Sequence, residues 1–547
     1  YFDATDPEDR NNDQLYGALS YFWTPSKLGS HDFKAGAERF TVTRTGGNSQ
    51  TSTGFVFYTG YQLNGTQPVL DSNGNLIPVF TSAANGRRGD DTRIGLWVPT
   101  KGAELDVTTD SLFLNDRWVL SDKLTVNLGL RYEKVRSEAT GGISSVDTDT
   151  IVPRLGVSFD PRGDGKYKFD VTYADYAGRY NPSIVGADTV VGKPALLYGY
   201  YVGPNGSGGN FAPGFNPNNY VFYYASVPLA NNFVADGLSS PVNTEYTLSA
   251  GMALGNGGFS KLTFVNRDLS GVIDDFITID NGCTNIVFQG VDAGCFDNIV
   301  YKNSDTPKRE YQAIMLQGQY RITPNWLVEG NYTNQLKNEG NYEGEGGQSI
   351  GATPFGNRPE TQSPRVNPTG RLAQYQEHKL RLWSIYNMHL GKAGDLGAGV
   401  IYRFDSPLTF SYSTSVPLSA AQRAANPGYA SLPTAQTLFF GDRGIGSFNS
   451  SSLFDLTLTY SLPVWKTIEP WIKLDITNVL NDDTLVTYNT GILANTGVRP
   501  VECGGACPVD NLGLPTTFRP GATFGTATAA TNYTQPREYF ISAGIRF

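Results

Sequence analysis

Apolar and polar residues alternate with a period of two in segments of roughly ten residues, far more often than they fall at helical spacing. Leu124, Val126, Leu128, Leu130 and Tyr132 share one face of such a segment, and Thr125, Asn127, Gly129, Arg131 and Glu133 the other. Tyr167, Phe169, Val171 and Tyr173 alternate with Lys168, Asp170 and Thr172. Phe454, Leu456, Leu458, Tyr460 and Leu462 alternate in the same way with Asp455, Thr457, Thr459 and Ser461. The last residues repeat the pattern, with Tyr539, Ile541, Ala543, Ile545 and Phe547 on one side. Each segment is therefore an expected β-strand with one apolar and one polar face. Asp116 is a defect in this pattern, because it shares a face with Leu114 and Trp118. A carboxylate there is reasonable only at the rim of an apolar band.

The connections fall into two length classes that alternate along the chain. Short turns start at Thr24, Ser121, Pro161, Gly255, Thr323, Gly391 and Pro463. Between them run long stretches rich in Gly, Asn, Ser and Pro, roughly 45 to 103, 136 to 149, 178 to 242, 269 to 308, 335 to 376, 409 to 450 and 480 to 536. A soluble sandwich has no physical reason to keep every second connection tight. A transmembrane barrel does, because its periplasmic turns are short and its extracellular loops are long. The expected fold is thus an all-β, transmembrane, antiparallel β-barrel. Its aromatic residues near strand ends, Trp118, Tyr132, Trp326, Tyr332, Trp471 and Phe547, are candidates for an interfacial girdle.

Seven short turns each join two strands and the terminal segment adds one, so about 15 strands are expected, whereas bacterial single-chain barrels have even counts. The strand from about Gln14 to Trp23 runs into a short turn and so descends from the outside. Residues 1–13 are then part of an extracellular loop, and 14–547 the C-terminal portion of a larger barrel.

Composition narrows the function classes. Charged residues are only 17%, and the chain holds 62 Gly and 31 Pro, which suits a turn-rich β protein and not a helical bundle. No run approaches 18 apolar residues, so no membrane-spanning helix is expected. With 42 Lys and Arg against 51 Asp and Glu, the net charge of -9 argues against a nucleic-acid partner held by a basic field.

The run LFLNDRWVLSDKLTVNLGLRYEKVRSE from Leu112, followed by PRLGVSFDPRGDGKYKFDVTYADYAGRY from Pro153, resembles TonB-dependent outer-membrane transporters, and more narrowly their Oar-like branch. NTEYTLSAGMALGNGGFSKLTFVNRDLSGVIDDF from Asn243, HKLRLWSIYNMHLGKAGDLGAGVIYRFDSPLTFS from His378 and SLFDLTLTYSLPVWKTIEPWIKLDITNVLND from Ser452 extend the resemblance over nearly the whole chain. It implies a barrel of about 22 strands, of which about 15 are present here. It further implies a plug inside the barrel and a TonB box that meets a TonB-type energy-coupling protein. Neither plug nor box is recognisable in this sequence. Two functions follow as alternatives: uptake of a scarce solute by binding and gated transfer, or surface attachment through loops that contact a protein or polysaccharide. The substrate stays open among siderophores, vitamins, saccharides and peptides.

The chemistry-bearing residues are few. Cys283 and Cys295 lie in one expected outer loop and Cys503 and Cys507 in another, so two local disulfides are expected from passage through the oxidising periplasm. Zinc would need these pairs or His31, His378 and His389 to converge, and they are not neighbours in sequence. The loop from about 181 to 243 holds the ligand-contact candidates Tyr198, Tyr200, Tyr201, Phe211, Phe215, Tyr220, Phe222, Tyr223 and Tyr224. Their rings, set among Gly and Asn, can stack on a solute or pack the loop onto its neighbours. Lys379, Arg381, Lys473 and Asp475 are expected on the inner wall. No phosphate-binding loop, nucleophile elbow or metal spacing is present, so no catalytic residue, metal or cofactor is expected. The DSNGN run from Asp71 starts like a calcium loop, but Leu76 stands where that loop needs Gly.

Overall fold

The computed structural model describes residues 6–25, 27–47, 49, 51, 53–83, 92–177, 189–191, 194–208, 216–228, 230–342, 364–424, 428–430, 433–464 and 468–547. Fifteen strands form one antiparallel sheet in simple chain order. They are β1 (Asp9–Trp23), β2 (Ser30–Thr45), β3 (Glu104–Ser121), β4 (Leu124–Ala139), β5 (Asp147–Phe159), β6 (Tyr167–Ala177), β7 (Val242–Leu254) and β8 (Gly258–Ser270). The wall continues through β9 (Arg309–Thr323), β10 (Trp326–Gly340), β11 (His378–His389), β12 (Asp395–Asp405), β13 (Ser451–Ser461), β14 (Glu469–Thr477) and β15 (Glu538–Arg546). A two-residue strand, Gly370–Arg371, adds to β10 off the main path. Among the described residues, β1 and β15 are edges with one neighbour each.

The described residues of the turns 24–29, 122–123, 160–166, 255–257, 324–325, 390–394 and 462–468 all gather at one end of this sheet. The described residues of the segments 46–103, 140–146, 178–241, 271–308, 341–377, 406–450 and 478–537 gather at the other. This is the two-class pattern expected of a transmembrane barrel, and the fold is that of its wall. Gly29, at a φ of 75°, shows how tightly the short end is built. A Cβ there would collide with the carbonyl of Val119 on β3.

The register turns the alternation of each strand into two continuous faces. Leu19 lies beside Ala35, Ala35 beside Leu114, Leu114 beside Leu130 and Leu130 beside Pro153. Farther along, Leu382 lies beside Tyr402 and Tyr402 beside Phe454. Leu19, Leu114 and Leu130 expose 82%, 55% and 51% of their surface, which is the signature of a lipid-facing wall. The opposite face is polar and internally paired. Arg131 donates to Glu38 at 3.0 Å and to Ser111 at 2.8 Å, and Arg381 grips both oxygens of Asp405 at 2.8 Å. Lys473 meets Asp475 at 2.9 Å.

Three details differ from, or refine, the sequence reading. Residues 9–13 are strand and not loop, paired from Asp9 with Thr45 to Asp13 with Thr41. These rungs lie beyond the apolar band and, apart from Val42, hold only polar residues, so the ladder is carried by backbone hydrogen bonds with no alternation to announce it. Trp471 shares the inner face with Lys473 and Asp475, so it is not part of an outer girdle. Asp116 does face outward near the short-turn end, where its carboxylate meets His31 Nδ1 at 2.8 Å. The His31 ring stacks on Trp23, Phe33 and Trp118 at 5.1–5.3 Å, so at the rim His31 is buried and Asp116 half-buried beneath aromatics.

Buried apolar clusters sit toward the loop end. One joins Leu105 and Val107 of β3 to Val135 and Ala139 of β4 with Val146 and Val191. Another joins Val416, Leu438 and Phe440 from one loop to Ile492 and Leu514 from another.

Leu130→Arg puts a cation in the middle of the outward apolar row and should cost about 2–4 kcal/mol, whereas Asn127→Arg on the inner face should cost under about 1 kcal/mol. Urea unfolding of the whole protein folded into lipid vesicles measures both, and equal costs would contradict the assignment of faces.

Candidate functional site

Between β2 and β3, and between β6 and β7, the long connections fold together. Phe55–Tyr58, Arg93–Val98, Ala195–Tyr201 and Tyr220–Ser226 form a four-stranded antiparallel sheet of their own. These segments alternate as wall strands do, because the sheet buries one face on other loop residues. Ile94, Leu96, Leu197, Gly199 and Tyr201 point to that face, with Phe80 and Phe57 at one end. Ile286 and Phe288 cover the other end. They come from a long hairpin, Val272–Phe288 and Val291–Ser304, that rises from β8.

The second face of the loop sheet carries an aromatic row. Tyr198 stands between Tyr58 and Tyr224, with ring centroids 6.1 Å apart on each side. Gly95 separates Tyr58 from Tyr198 and makes the row possible, since a Cβ there would lie 3.2 Å and 3.4 Å from the two rings. Phe296 of the hairpin meets Tyr224 edge-on at 6.1 Å. Tyr58 and Tyr224 remain exposed. Burial and the neighbouring Tyr58 hydroxyl push the Tyr198 phenol up to about 12.

The nine aromatic candidates read from the sequence divide by strand alternation. Tyr198, Tyr200 and Tyr224 share the open face, where Tyr200 packs 5.7 Å from Tyr223. Tyr201 and Tyr220 are buried with Phe57 and Phe80, and Phe222 packs against the same cluster. Tyr201 donates its hydroxyl to the Pro204 carbonyl at 3.0 Å. The register shifts between Tyr198 and Gly199, which seats Tyr223 at an irregular rung. Phe211 and Phe215 lie outside the described residues. Sequence reading missed Tyr58, Gly95 and Phe296, although the run Phe55-Val56-Phe57-Tyr58 carries a strand signal inside an apparent loop.

The cysteines pair as their spacing suggested. Cys283 bonds Cys295 across the hairpin, with Cα atoms 5.4 Å apart, and Cys503 bonds Cys507 at 5.1 Å. The DSNGN run folds as an Asx turn. Asp71 accepts from the backbone N–H groups of Asn73 and Asn75 at 2.8 Å, which holds its carboxyl below the ordinary value.

Below the loops, the inner wall from β6 to β11 lines a half-open cavity of about 740 Å³. Tyr176, Asn243, Arg267, Arg309, Tyr311, Gln335, Asn338 and Lys379 reach it from the strands. Gln374, Gln376 and Leu408 reach it from the segments beside β11 and β12. Arg267 forms an ion pair with Glu245 and lies 5.7 Å over the Tyr311 ring. Gln335 accepts from the Gln376 N–H at 3.0 Å, and the Gln376 side chain donates to the Ser406 carbonyl at 3.0 Å. Of these residues only Lys379 was singled out from the sequence.

Comparison with known proteins agrees with this architecture. No family model matches the chain. The chain resembles the TonB-dependent transporter Oar of Myxococcus xanthus, with 23% identity over 451 residues that cover 74% of this chain and 39% of that protein. Among solved structures it is similar to the outer membrane transporter YddB from Escherichia coli, with a TM-score of 0.50 and 14% identity over 88% of this chain and 52% of that one. The ferric-catecholate import receptor Fiu from Escherichia coli K12 matches at a TM-score of 0.46 and 14% identity, over 98% of this chain and 55% of that one. The chain thus spans about two fifths of its curated relative and about half of these structures. The likeness to YddB shows the fold.

Because the fold favours the neutral Tyr198 phenol, its stabilisation is complete below about pH 10, the ordinary tyrosine value. It is then lost as pH rises toward about 12. Ultraviolet titration should show that Tyr198→Phe deletes one late-ionising tyrosine and leaves the main phenolate step unchanged. Loss of an early-ionising group instead would contradict the packed row.

Proposed function

We propose that this chain forms the larger part of the wall of an outer-membrane TonB-dependent transporter, with the short turns in the periplasm and the long loops outside the cell. The observation that carries the reading is the two-faced sheet, greasy outside and polar inside, with every short turn at one end. The resemblance to the Oar transporter supports it.

In this reading the chain from Asp9 onward is the C-terminal portion of a receptor barrel, with the first rungs, Asp9 to Asp13, standing beyond the membrane on the outer side. The open edges at β1 and β15 are closed by further strands, bringing the count toward 22, and a plug fills the lumen. Loops with their own apolar clusters hold a binding surface steady above the lumen. Tyr198, Tyr200, Tyr223 and Tyr224, joined by Tyr58, contact the solute, while Tyr201, Tyr220 and Phe222 hold the platform from behind. Capture by the loops is followed by gated transfer through the lumen, driven by a TonB-type energy-coupling protein acting on the plug. No bond of the solute is made or broken.

Two measurements test this. A membrane-impermeant maleimide should label Gln289→Cys, at the tip of the long hairpin, on intact cells, and Asp164→Cys, in a short turn, only after the outer membrane is opened. The reverse pattern would overturn the orientation. Mass spectrometry of spent medium should then find at least one solute depleted by cells carrying the whole gene product, and not by cells that lack either it or the coupling protein. Depletion that ignores the coupling protein would remove the transport mechanism.

A further inference from the structure

The outward face of the wall, which meets lipid in the transport reading, keeps cations away almost everywhere. Among the described residues of the wall strands, Arg39, Lys134, Arg136 and Lys337 point outward and every other Lys and Arg points inward. Lys337 stands apart on β10, paired with Glu310 at 3.3 Å. The other three are neighbours. Arg39 and Lys134 flank Asp110 on one rung of β2, β3 and β4, and Arg136 lies one outward place beyond Lys134. This rung is the first outward one above Ala37, Leu112 and Tyr132, so the cluster sits where the apolar band ends on the long-loop side. A cation at that depth reaches the headgroup layer.

Asp110 fastens the two guanidiniums without using up their donors. It accepts from Arg39 Nε at 2.6 Å and Nη2 at 3.1 Å, and from Arg136 Nη2 at 2.6 Å. Arg39 Nη1 and Arg136 Nε and Nη1 have no partner among the described residues, and the two side chains are 60% and 51% exposed. Two more carboxylates are near: Asp147 pairs with Lys134, and Asp149 accepts from the Tyr132 hydroxyl at 3.5 Å. Both belong to β5, on the side away from β2. Toward β2 the cluster therefore presents two guanidiniums against one carboxylate.

Directly below, the outward face is hollow. Leu15, Gly17, Ala37, Leu112 and Tyr132 line a half-open, largely apolar groove of about 620 Å³, with Arg39 and Asp110 at its upper end. Small residues make the hollow, since Gly17 lies beside Ala37 and a Cβ at Gly17 would meet nothing within 4 Å. Glu38 also borders the groove, but its side chain is turned inward and bound by Arg131 and Gln14.

We infer that this patch binds a phosphate-bearing lipid of the outer leaflet, with an acyl chain in the groove over Gly17 and Ala37 and the phosphate held by the free donors of Arg39 and Arg136. The planar fork of a guanidinium matches phosphate oxygens. The groove beneath continues the outward row of Leu19, Leu114 and Leu130, so the occupant is a lipid and not a free anion. The site goes beyond the transport reading, and rests on it for the depth and the side of the membrane at which it lies.

Native mass spectrometry of the whole gene product in detergent tests it, with bisphosphorylated lipid A, its dephosphorylated form and inorganic phosphate as probes. Lipid A should bind about tenfold more tightly than the dephosphorylated form. Arg39→Gln combined with Arg136→Gln should remove most of that preference. Gly17→Leu, which fills the groove in open space, should weaken both lipids. Inorganic phosphate at the same concentration should leave lipid A in place. The slow and fast gel mobilities of the folded and heated forms report that each variant is folded. Equal binding of the two lipids, a preference unchanged by the double variant, affinities unchanged by Gly17→Leu, or displacement by inorganic phosphate would each overturn the inference. Such a result, with Gln289→Cys and Asp164→Cys labelled as expected, would sink the lipid site and leave the orientation standing. The reverse labelling would sink the orientation, and with it the outer leaflet as the source of the lipid.

Discussion

Inside a bilayer there is no water to satisfy a backbone N–H or C=O, so each must be met by the neighbouring strand. That requirement explains the simple order of the wall, in which each strand pairs with the next one in the chain and long strands keep register for up to sixteen rungs, as between β2 and β3. Once the ladder is continuous, a side-chain period of two does the rest. Leu19, Ala35, Leu114 and Leu130 fall in one outward row, while Arg131, Glu38 and Ser111 bond to one another inside. The same requirement accounts for the aromatic roof over Asp116. A carboxylate on the greasy face survives because His31 bonds it and Trp23, Phe33 and Trp118 shield the pair at the rim.

Above the membrane the constraint reverses. Water satisfies exposed backbone freely, so the loops hold a shape only where they bury carbon of their own. They do so by borrowing from one another. The sheet that presents Tyr198 takes strands from the segments after β2 and after β6, and its buried face is covered by the hairpin after β8. A second cluster gathers Val416, Leu438, Ile492 and Leu514 from separate connections. The Cys283–Cys295 and Cys503–Cys507 bonds each tie a local stretch of this layer.

The two candidate surfaces reflect these two regimes. The tyrosine row depends on loops meeting loops, and on Gly95 leaving room between Tyr58 and Tyr198. The cavity depends on wall strands whose spacing is dictated by the ladder, so Arg267, Tyr311, Asn338 and Lys379 are held on rigid elements.

Read alone, the sequence determined the period-two wall, its two faces, the two classes of connection, all seven short turns and both cysteine pairings, because each of these is a local property that spacing records. It also marked the stretch that would carry aromatic contacts. What it could not decide was which of those rings would face out. Tyr201 and Tyr220 are as aromatic as Tyr198 and Tyr224, yet they lie on the buried side of a sheet whose other strands, Phe55–Tyr58 and Arg93–Val98, come from a distant loop. Nor could it find the cavity, whose residues are spread from Tyr176 to Leu408 and lie together only because β6 to β11 are neighbours. Alternation is written residue by residue, whereas the meeting of separate loops and the lining of a lumen are set by pairing between distant segments, and only the tertiary structure supplies that.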